Sequence, residues 1–333
     1  MHLPESIATE VRQALAQQLG LPDLELQGTP VAGGDICRAA RITAGGRHYF
    51  LKWREDAPPG FFAAEADGLR RLAHAHREGA SGAGVPAVIA AGPSFLLLEW
   101  IEPSSGDQEA LARQLGRSLA HQHEVTGPAF GLDRDTFLGP LRFPAGWDED
   151  WPRYYRDRRL AVLAERAGRQ GRLDALRARR LYRLLDRMEE WLGHRPKPSL
   201  LHGDLWGGNW MAGRGTAAAV ARDDRAAAGG TGARAAGGAA SASASTAAAG
   251  GVRPYLIDPA VFYGDGEVDL AMAALFGGFP PSFFQAYADR RPLPPGHEER
   301  RPLYQLYYLL AHLVLFGESY GPAVDRILRR YVG

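Results

Sequence analysis

The sequence predicts an α+β protein of two lobes: a small N-terminal lobe with an antiparallel sheet and one main helix, then a larger, mainly helical lobe. Three observations predict it. Short strand-like runs cluster before Pro103, helical periodicity dominates after it, and 333 residues are enough to bury a substantial core in two lobes. The boundary is placed so that the lobes span 1–102 and 103–333.

Residues 5–19 repeat Ile7, Val11, Leu15 and Leu19 at i+4, the signature of an amphipathic helix. Arg38–Thr43 and Arg47–Trp53 flank Ala44-Gly45-Gly46 and read as a hairpin. A helix follows from about Phe61 to His76, with Leu69 and Leu72 on its apolar side. The run Phe95–Trp100 is continuously apolar except for Glu99 and reads as a buried strand. Helices are expected at 107–124, 150–168, 171–193, 281–289 and 301–316. This layout is that of a kinase, although other α+β folds share it.

The span 212–251 differs in composition. Ala, Gly and Ser dominate it, it lacks aromatic residues, and it has no apolar period. Such a stretch buries too little to offset the entropy of ordering it, so it is expected to be a disordered insertion within the larger lobe.

Composition excludes several classes. Hydrophobic content is 45%, charged content 23% and formal net charge +1, so no global field favours nucleic acid or an anionic membrane. The lone cysteine, Cys37, cannot form an intrachain disulfide. Residues 1–10 lack the basic start and apolar run of a signal peptide. No stretch approaches the roughly 18 apolar residues of a membrane span. A soluble cytoplasmic protein is expected.

The chemistry is concentrated in His202-Gly203-Asp204-Leu205-Trp206-Gly207-Gly208-Asn209. Phosphoryl transfer to a hydroxyl needs a carboxylate to orient the nucleophile and take its proton, and oxygen ligands for Mg²⁺. Asp204 and Asn209 have the spacing of the kinase pattern HRDxxxxN. That makes Asp204 the candidate base, Asn209 a candidate metal ligand, and the fold protein-kinase-like. The competing reading is a glycine-rich turn capped by an aspartate.

Tyr255-Leu256-Ile257-Asp258 is an apolar strand ending in a carboxylate, suited to a second Mg²⁺ ligand. Alone, such an aspartate is more often a turn former. Lys52, on a strand, and Glu65, on the next helix, fit the pair that contacts the α- and β-phosphates of ATP. Gly33 and Gly34 lie between strand-like segments and suit a phosphate loop, with a plain hairpin turn equally compatible. Glu99 and Ile101 fall where an interlobe hinge would meet adenine. Asp269 suits a hydrogen-bond acceptor for the catalytic-loop backbone; an N-cap of the following helix competes. His202 is a supporting residue of the same loop.

These segments together resemble the fructosamine kinase (ketosamine 3-kinase) family, part of the wider group of aminoglycoside and choline kinases. The resemblance rests on Leu201–Asn209, Ile257–Gly264, Glu267–Met272, Phe276–Pro280, Ser282–Tyr287, Phe130–Asp133, Gly139-Pro140 and Trp151–Leu160. Trp206, directly after the His-Gly-Asp triplet, separates this family from generic relatives. The resemblance implies ATP- and Mg²⁺-dependent phosphorylation of a ketosamine, such as ribulosamine or fructosamine, at its O3 hydroxyl, with deglycation as the outcome. Some family members carry a cysteine right after the glycine pair; that position here is Asp35, so a redox switch at Cys37 is not carried over.

Trp206 is a candidate to stack on the sugar, with a core tryptophan as the competing reading. Residues 147–191 carry more Arg than Asp plus Glu, contrary to the acidic wall a polycationic aminoglycoside needs. Trp147, Trp151, Tyr154 and Tyr155 keep a choline-type aromatic cage in view. The alternatives are therefore a related kinase for another alcohol, or a catalytically silent nucleotide-binding module.

Overall fold

The computed structural model describes residues 3–19, 25–31, 36–77, 82–215 and 251–333. Gly33, Gly34 and residues 216–250 of the low-complexity span lie outside the described residues.

The small lobe is a five-stranded antiparallel sheet of order β1-β2-β3-β5-β4, with β1 at Gln27–Pro30, β2 at Arg38–Ala44, β3 at Arg47–Trp53, β4 at Val88–Ala91 and β5 at Phe95–Glu99. The predicted hairpin joins β2 to β3. Gly45 and Gly46 both take positive φ (54° and 70°), the geometry a two-residue turn needs to match strand twist. Helix α1 (Glu5–Leu19) lays Ile7, Val11 and Leu15 on one face of the sheet. Helix α2 (Phe61–Arg77) lays Phe62, Ala66 and Leu69 on the other.

Alternation along β3 decides where Lys52 points. Leu51 and Trp53 pack toward α1, whereas Phe50 packs on the α2 side. Lys52 shares a face with Phe50, because successive strand residues point to opposite faces.

The large lobe is mainly helical around one extensive core. Its helices are α3 (Gln108–Gln122), α4 (Trp151–Tyr155), α5 (Ala161–Arg169), α6 (Ala175–Asp186), α7 (Met188–Leu192), α8 (Glu267–Leu275), α9 (Pro281–Arg290), α10 (His297–Phe316) and α11 (Gly321–Val332). Two predicted helices are divided. The 150–168 helix contains a π-helical turn at Arg156–Leu160. The 171–193 helix begins at Ala175 under an Asp174 cap and breaks at Arg187.

Several further strands are short, and all but the one that overlaps the apolar strand read at 255–258 carry no period-2 signal long enough to read. In chain order they are β6 (Glu102–Pro103), β7 (Phe130–Leu132), β8 (Thr136–Leu138), β9 (Leu141–Phe143), β10 (Gly146–Asp148), β11 (Ser199–Leu200), β12 (Trp210–Arg214), β13 (Arg253–Leu256) and β14 (Tyr263–Gly264). Strand β12 corrects the low-complexity boundary. Ala212, Gly213 and Arg214 belong to it, because Ala212 and Gly213 pair with Pro254 and Arg253, and Gly213 and Arg214 with β6. The hairpin of β12 and β13 thus brings together residues on either side of the span. No helix among the described residues is long and apolar enough to cross a membrane.

Candidate active site

The loop Leu201–Asn209 follows β11 and is held from below. Asp269, fully buried on α8, accepts the His202 N–H at 2.7 Å through Oδ2 and the Gly203 N–H at 2.8 Å through Oδ1. Asp269 is the third residue of α8, whose N-cap is Gly266, so the N-cap reading is replaced by the loop-holding one. His123, also fully buried, contacts Asp269 Oδ2 at 3.1 Å and the Tyr287 hydroxyl at 2.8 Å. Tyr308 donates its hydroxyl to the Gly203 carbonyl at 2.9 Å. Gly203 has φ +82°, and a Cβ there would lie 2.0 Å from the Ala260 carbonyl oxygen. Only glycine fits.

His202 ties this loop to the end of β13. Its Nε2 bonds the Ile257 carbonyl at 3.0 Å and must therefore carry the proton, leaving Nδ1 to accept the Asp204 N–H at 3.3 Å. Burial lowers the His202 pKa and keeps it neutral. Asn209 Nδ2 donates to the Asp204 backbone carbonyl at 2.8 Å, to Asp204 Oδ2 at 3.0 Å and to the Asp258 carbonyl at 3.5 Å. Burial, and next the charge of Asp258, push the Asp204 carboxyl up to about 7. A carboxylate of that basicity is better matched to proton acceptance near neutral pH than an ordinary aspartate.

Across the cleft, Lys52 Nζ lies 3.0 and 3.1 Å from the two Glu65 oxygens and 3.1 Å from Asp258 Oδ1. Burial opposes the Lys52 charge, but Asp258 and Glu65 outweigh it and raise its pKa. Burial pushes Glu65 the other way for an acid, upward, against the pull of Lys52. Asp258 has φ +52°, a left-handed conformation uncommon outside glycine. Asp258 is 42% exposed toward the cleft. Asn209 Oδ1 has no hydrogen-bond partner among the described residues. These two hard oxygen donors fit a Mg²⁺ ion.

The residues converge on one cleft of about 1080 Å³ between the lobes. Lys52, Glu65, Glu99, Ile101, Asp204, Trp206, Asn209 and Asp258 all line it. Glu99 ends β5 and bonds Ala87 through both its backbone N–H and its side chain, while Ile101 is buried beside β6. Cys37 lines the same cleft, and burial pushes its thiol up to about 11, so it stays protonated at neutral pH. Trp206 is 42% exposed, so it is not a core tryptophan.

The proposed aromatic cage is not assembled. Trp151, Tyr154 and Tyr155 are buried in the large-lobe core, and Trp147 packs on Tyr263; none of the four lines the cleft. The cleft is instead walled, beyond Asp204, by Phe276, His312, Phe316 and Tyr320. His312 and Phe316, four residues apart on α10, share one helix face, and Tyr320 follows in the turn after it.

The model of the fructosamine kinase family matches residues 7–333. The chain belongs to the fructosamine kinase family. It is therefore a phosphotransferase. A protein of Lactiplantibacillus plantarum named probable ketoamine kinase is 40% identical over 320 residues, covering 94% of this chain and 97% of that one. One from Enterococcus faecium with the same designation is 38% identical over 323 residues, covering 94% and 99%. Among solved structures, a protein designated a fructosamine-3-kinase from Haemophilus somnus superposes with TM-score 0.77 at 26% identity over 97% of both chains. A thermostable mutant of aminoglycoside phosphotransferase APH(4)-Ia superposes with TM-score 0.56 at 15% identity, covering 97% of this chain and 99% of that one. That likeness shows a shared protein-kinase-like fold. Within this fructosamine kinase family member, the two halves of the site lie on opposite lobes.

Proposed function

We propose that this fructosamine kinase family member transfers the γ-phosphoryl group of ATP to the O3 hydroxyl of a ketosamine such as ribulosamine or fructosamine, and so serves deglycation. One observation carries the reading: the Asn209 side chain reaches both Asp204 Oδ2 and the Asp258 carbonyl, joining into one site two motifs 49 residues apart. In this reading Asp204 orients the acceptor hydroxyl and takes its proton. Lys52, held by Glu65, neutralises the α- and β-phosphates. Asn209 and Asp258 hold Mg²⁺, which, when bound, offsets charge on the phosphoryl oxygens. Glu99 and Ile101 mark the edge where adenine enters, and the loop holding Gly33 and Gly34 belongs on the phosphate side. Trp206 offers its indole face to the sugar. A phosphate at C3 is a better leaving group than a hydroxyl, so the enaminol form of the adduct expels inorganic phosphate by β-elimination, and water then hydrolyses the resulting imine to the free amine and a 3-deoxyosone.

The test is ATP turnover with a panel of ribulosyl- and fructosyl-amines, aminoglycosides and choline. Turnover confined to the ketosamines, with the phosphate found on O3, supports the reading. Turnover confined to another alcohol, or none with any acceptor, overturns it.

A further inference from the structure

Six large apolar side chains are exposed among the described residues, and three of them, Trp206, Phe276 and Phe316, line the cleft that contains Asp204. Phe276 and Phe316 are 40% and 48% exposed, so packing within the protein leaves much of their rings wet. His312 sits at the centre of this wall. Its ring centroid lies 4.7 Å from that of Phe276, 5.4 Å from Phe316 and 4.9 Å from Tyr320. The wall is thus a set of aromatic faces around one imidazole, partly open to solvent in the cleft that holds Asp204.

The imidazole has a defined polarity. His312 Nδ1 lies 2.7 Å from the Tyr308 carbonyl oxygen, which can only accept, so Nδ1 carries the proton and Nε2 presents a lone pair. Burial lowers the His312 pKa, which keeps the ring neutral and an acceptor. Among the described residues lining the cleft, Lys52 is the one Lys or Arg, and its charge is engaged by Glu65 and Asp258. The acceptor end therefore combines electron-rich ring faces, a hydrogen-bond acceptor and the Asp204 carboxylate; among the described residues its lining has no Lys or Arg besides Lys52, and Arg172, beside Gly317, is not part of that lining. That combination suits a small organic cation carrying an N–H group.

We propose that Phe276, His312, Phe316 and Tyr320 form a subsite for the protonated secondary amine of the acceptor, so that the enzyme selects a charged nitrogen and not merely a ketose. The proposal rests on the ketosamine reading above and deepens it. In a ketosamine the nitrogen is joined to C1, within a few bonds of the O3 hydroxyl, so one molecule can place its hydroxyl at Asp204 and its ammonium in the ring cluster. The ammonium donates a hydrogen bond to His312 Nε2, and its positive charge lies against the ring faces.

The test compares two acceptors that differ in one atom: a 1-alkylamino-1-deoxy-ketose and the 1-O-alkyl ketose with the same alkyl group. The wild-type enzyme is expected to favour the amine by about tenfold or more in kcat/KM, chiefly through KM. Phe316→Leu and Phe276→Leu keep an apolar wall but remove the ring faces, and each is expected to shrink that preference by about threefold or more. ATP affinity and the thermal midpoint check that the variants remain folded. Equal turnover of amine and ether by the wild type overturns the proposal while leaving a ketose kinase standing. A preference that survives both leucine variants also overturns it, because the rings then act only as an apolar surface. If neither ketose is phosphorylated, the ketosamine reading itself is wrong, and the subsite falls with it.

Discussion

Lys52 Nζ and Asp258 Oδ1 stand 3.1 Å apart, an ion pair between residues separated by 206 positions that ties β3 of the small lobe to the end of β13 in the large lobe. The same lysine is gripped by both oxygens of Glu65. In the proposed reading Asp258 serves two partners, the Lys52 cation and a metal brought with the nucleotide. Asp258→Ala is expected to weaken Mg²⁺-dependent ATP binding, while Lys52→Ala weakens nucleotide binding but leaves the metal dependence in place. Titration calorimetry with ATP, with and without Mg²⁺, separates the two. Normal Mg-ATP binding and turnover by Asp258→Ala would remove it from the metal site.

Asp204→Asn keeps the size and the hydrogen bonding to Asn209 while removing the basic oxygen. Turnover is expected to fall by about 10²–10⁴-fold, the usual contribution of a general base. ATP affinity should stay near wild type, because in the proposed reading Asp204 contacts the acceptor hydroxyl and not the nucleotide. A variant within a few-fold of wild-type turnover rules Asp204 out as the base.

Asp269→Ala leaves the buried N–H groups of His202 and Gly203 without their acceptor. Each buried unsatisfied donor costs about 1–3 kcal/mol, so the loss of stability is expected to be about 2–6 kcal/mol. Urea unfolding followed by circular dichroism measures it. A loss below about 1 kcal/mol would mean the loop finds other partners.

His76 gives stability a pH dependence. It is buried, with Nε2 3.1 Å from Gln122 Oε1 and Nδ1 without a partner among the described residues. Burial drives its pKa down to about 4 from 6.5. Between those values the unfolded chain binds a proton that the folded protein does not. Stability is therefore full above about pH 6.5 and falls as pH drops toward 4, by about 1.4 kcal/mol per pH unit for one such group. His123 and His202, also lowered by burial, act in the same direction. Unfolding midpoints at pH 7 and pH 5 check the slope; it should shallow in His76→Gln, and an unchanged slope would exclude His76 as a source.

The pairing of Gly213 with Arg253 closes the β12–β13 hairpin. Replacing residues 216–250 by an Asn-Gly turn is therefore expected to leave stability unchanged or slightly raised, since a shorter loop costs less entropy to close. Activity on a small ketosamine should persist. Failure to fold would show that the span packs on a lobe. Intact folding with a large rise in acceptor KM would make it part of the substrate cleft.

The elements that positioned the site were largely legible because their signals are local. The i+4 repeat of α1, the glycine turn before β3, the apolar run of β5 and the His-Gly-Asp loop each depend on neighbours a few residues away. Spacing alone indicated that Asp204 and Asn209 act together, and composition alone set the low-complexity span apart. Tertiary structure decided what depends on long-range packing. Ala212–Arg214 became strand because β6 and β13 offered partners. Asp269 turned inward to the loop and left the cap to Gly266, since two buried N–H groups required its oxygens. Trp206 and Trp151 look alike as letters, yet one opens into the cleft and the other fills the core. Periodicity places a residue on a helix face, but which faces meet is settled only when distant elements pack. That is why Phe276, from the end of α8, and His312 and Phe316, from α10, come together as one wall of the cleft only in the folded chain.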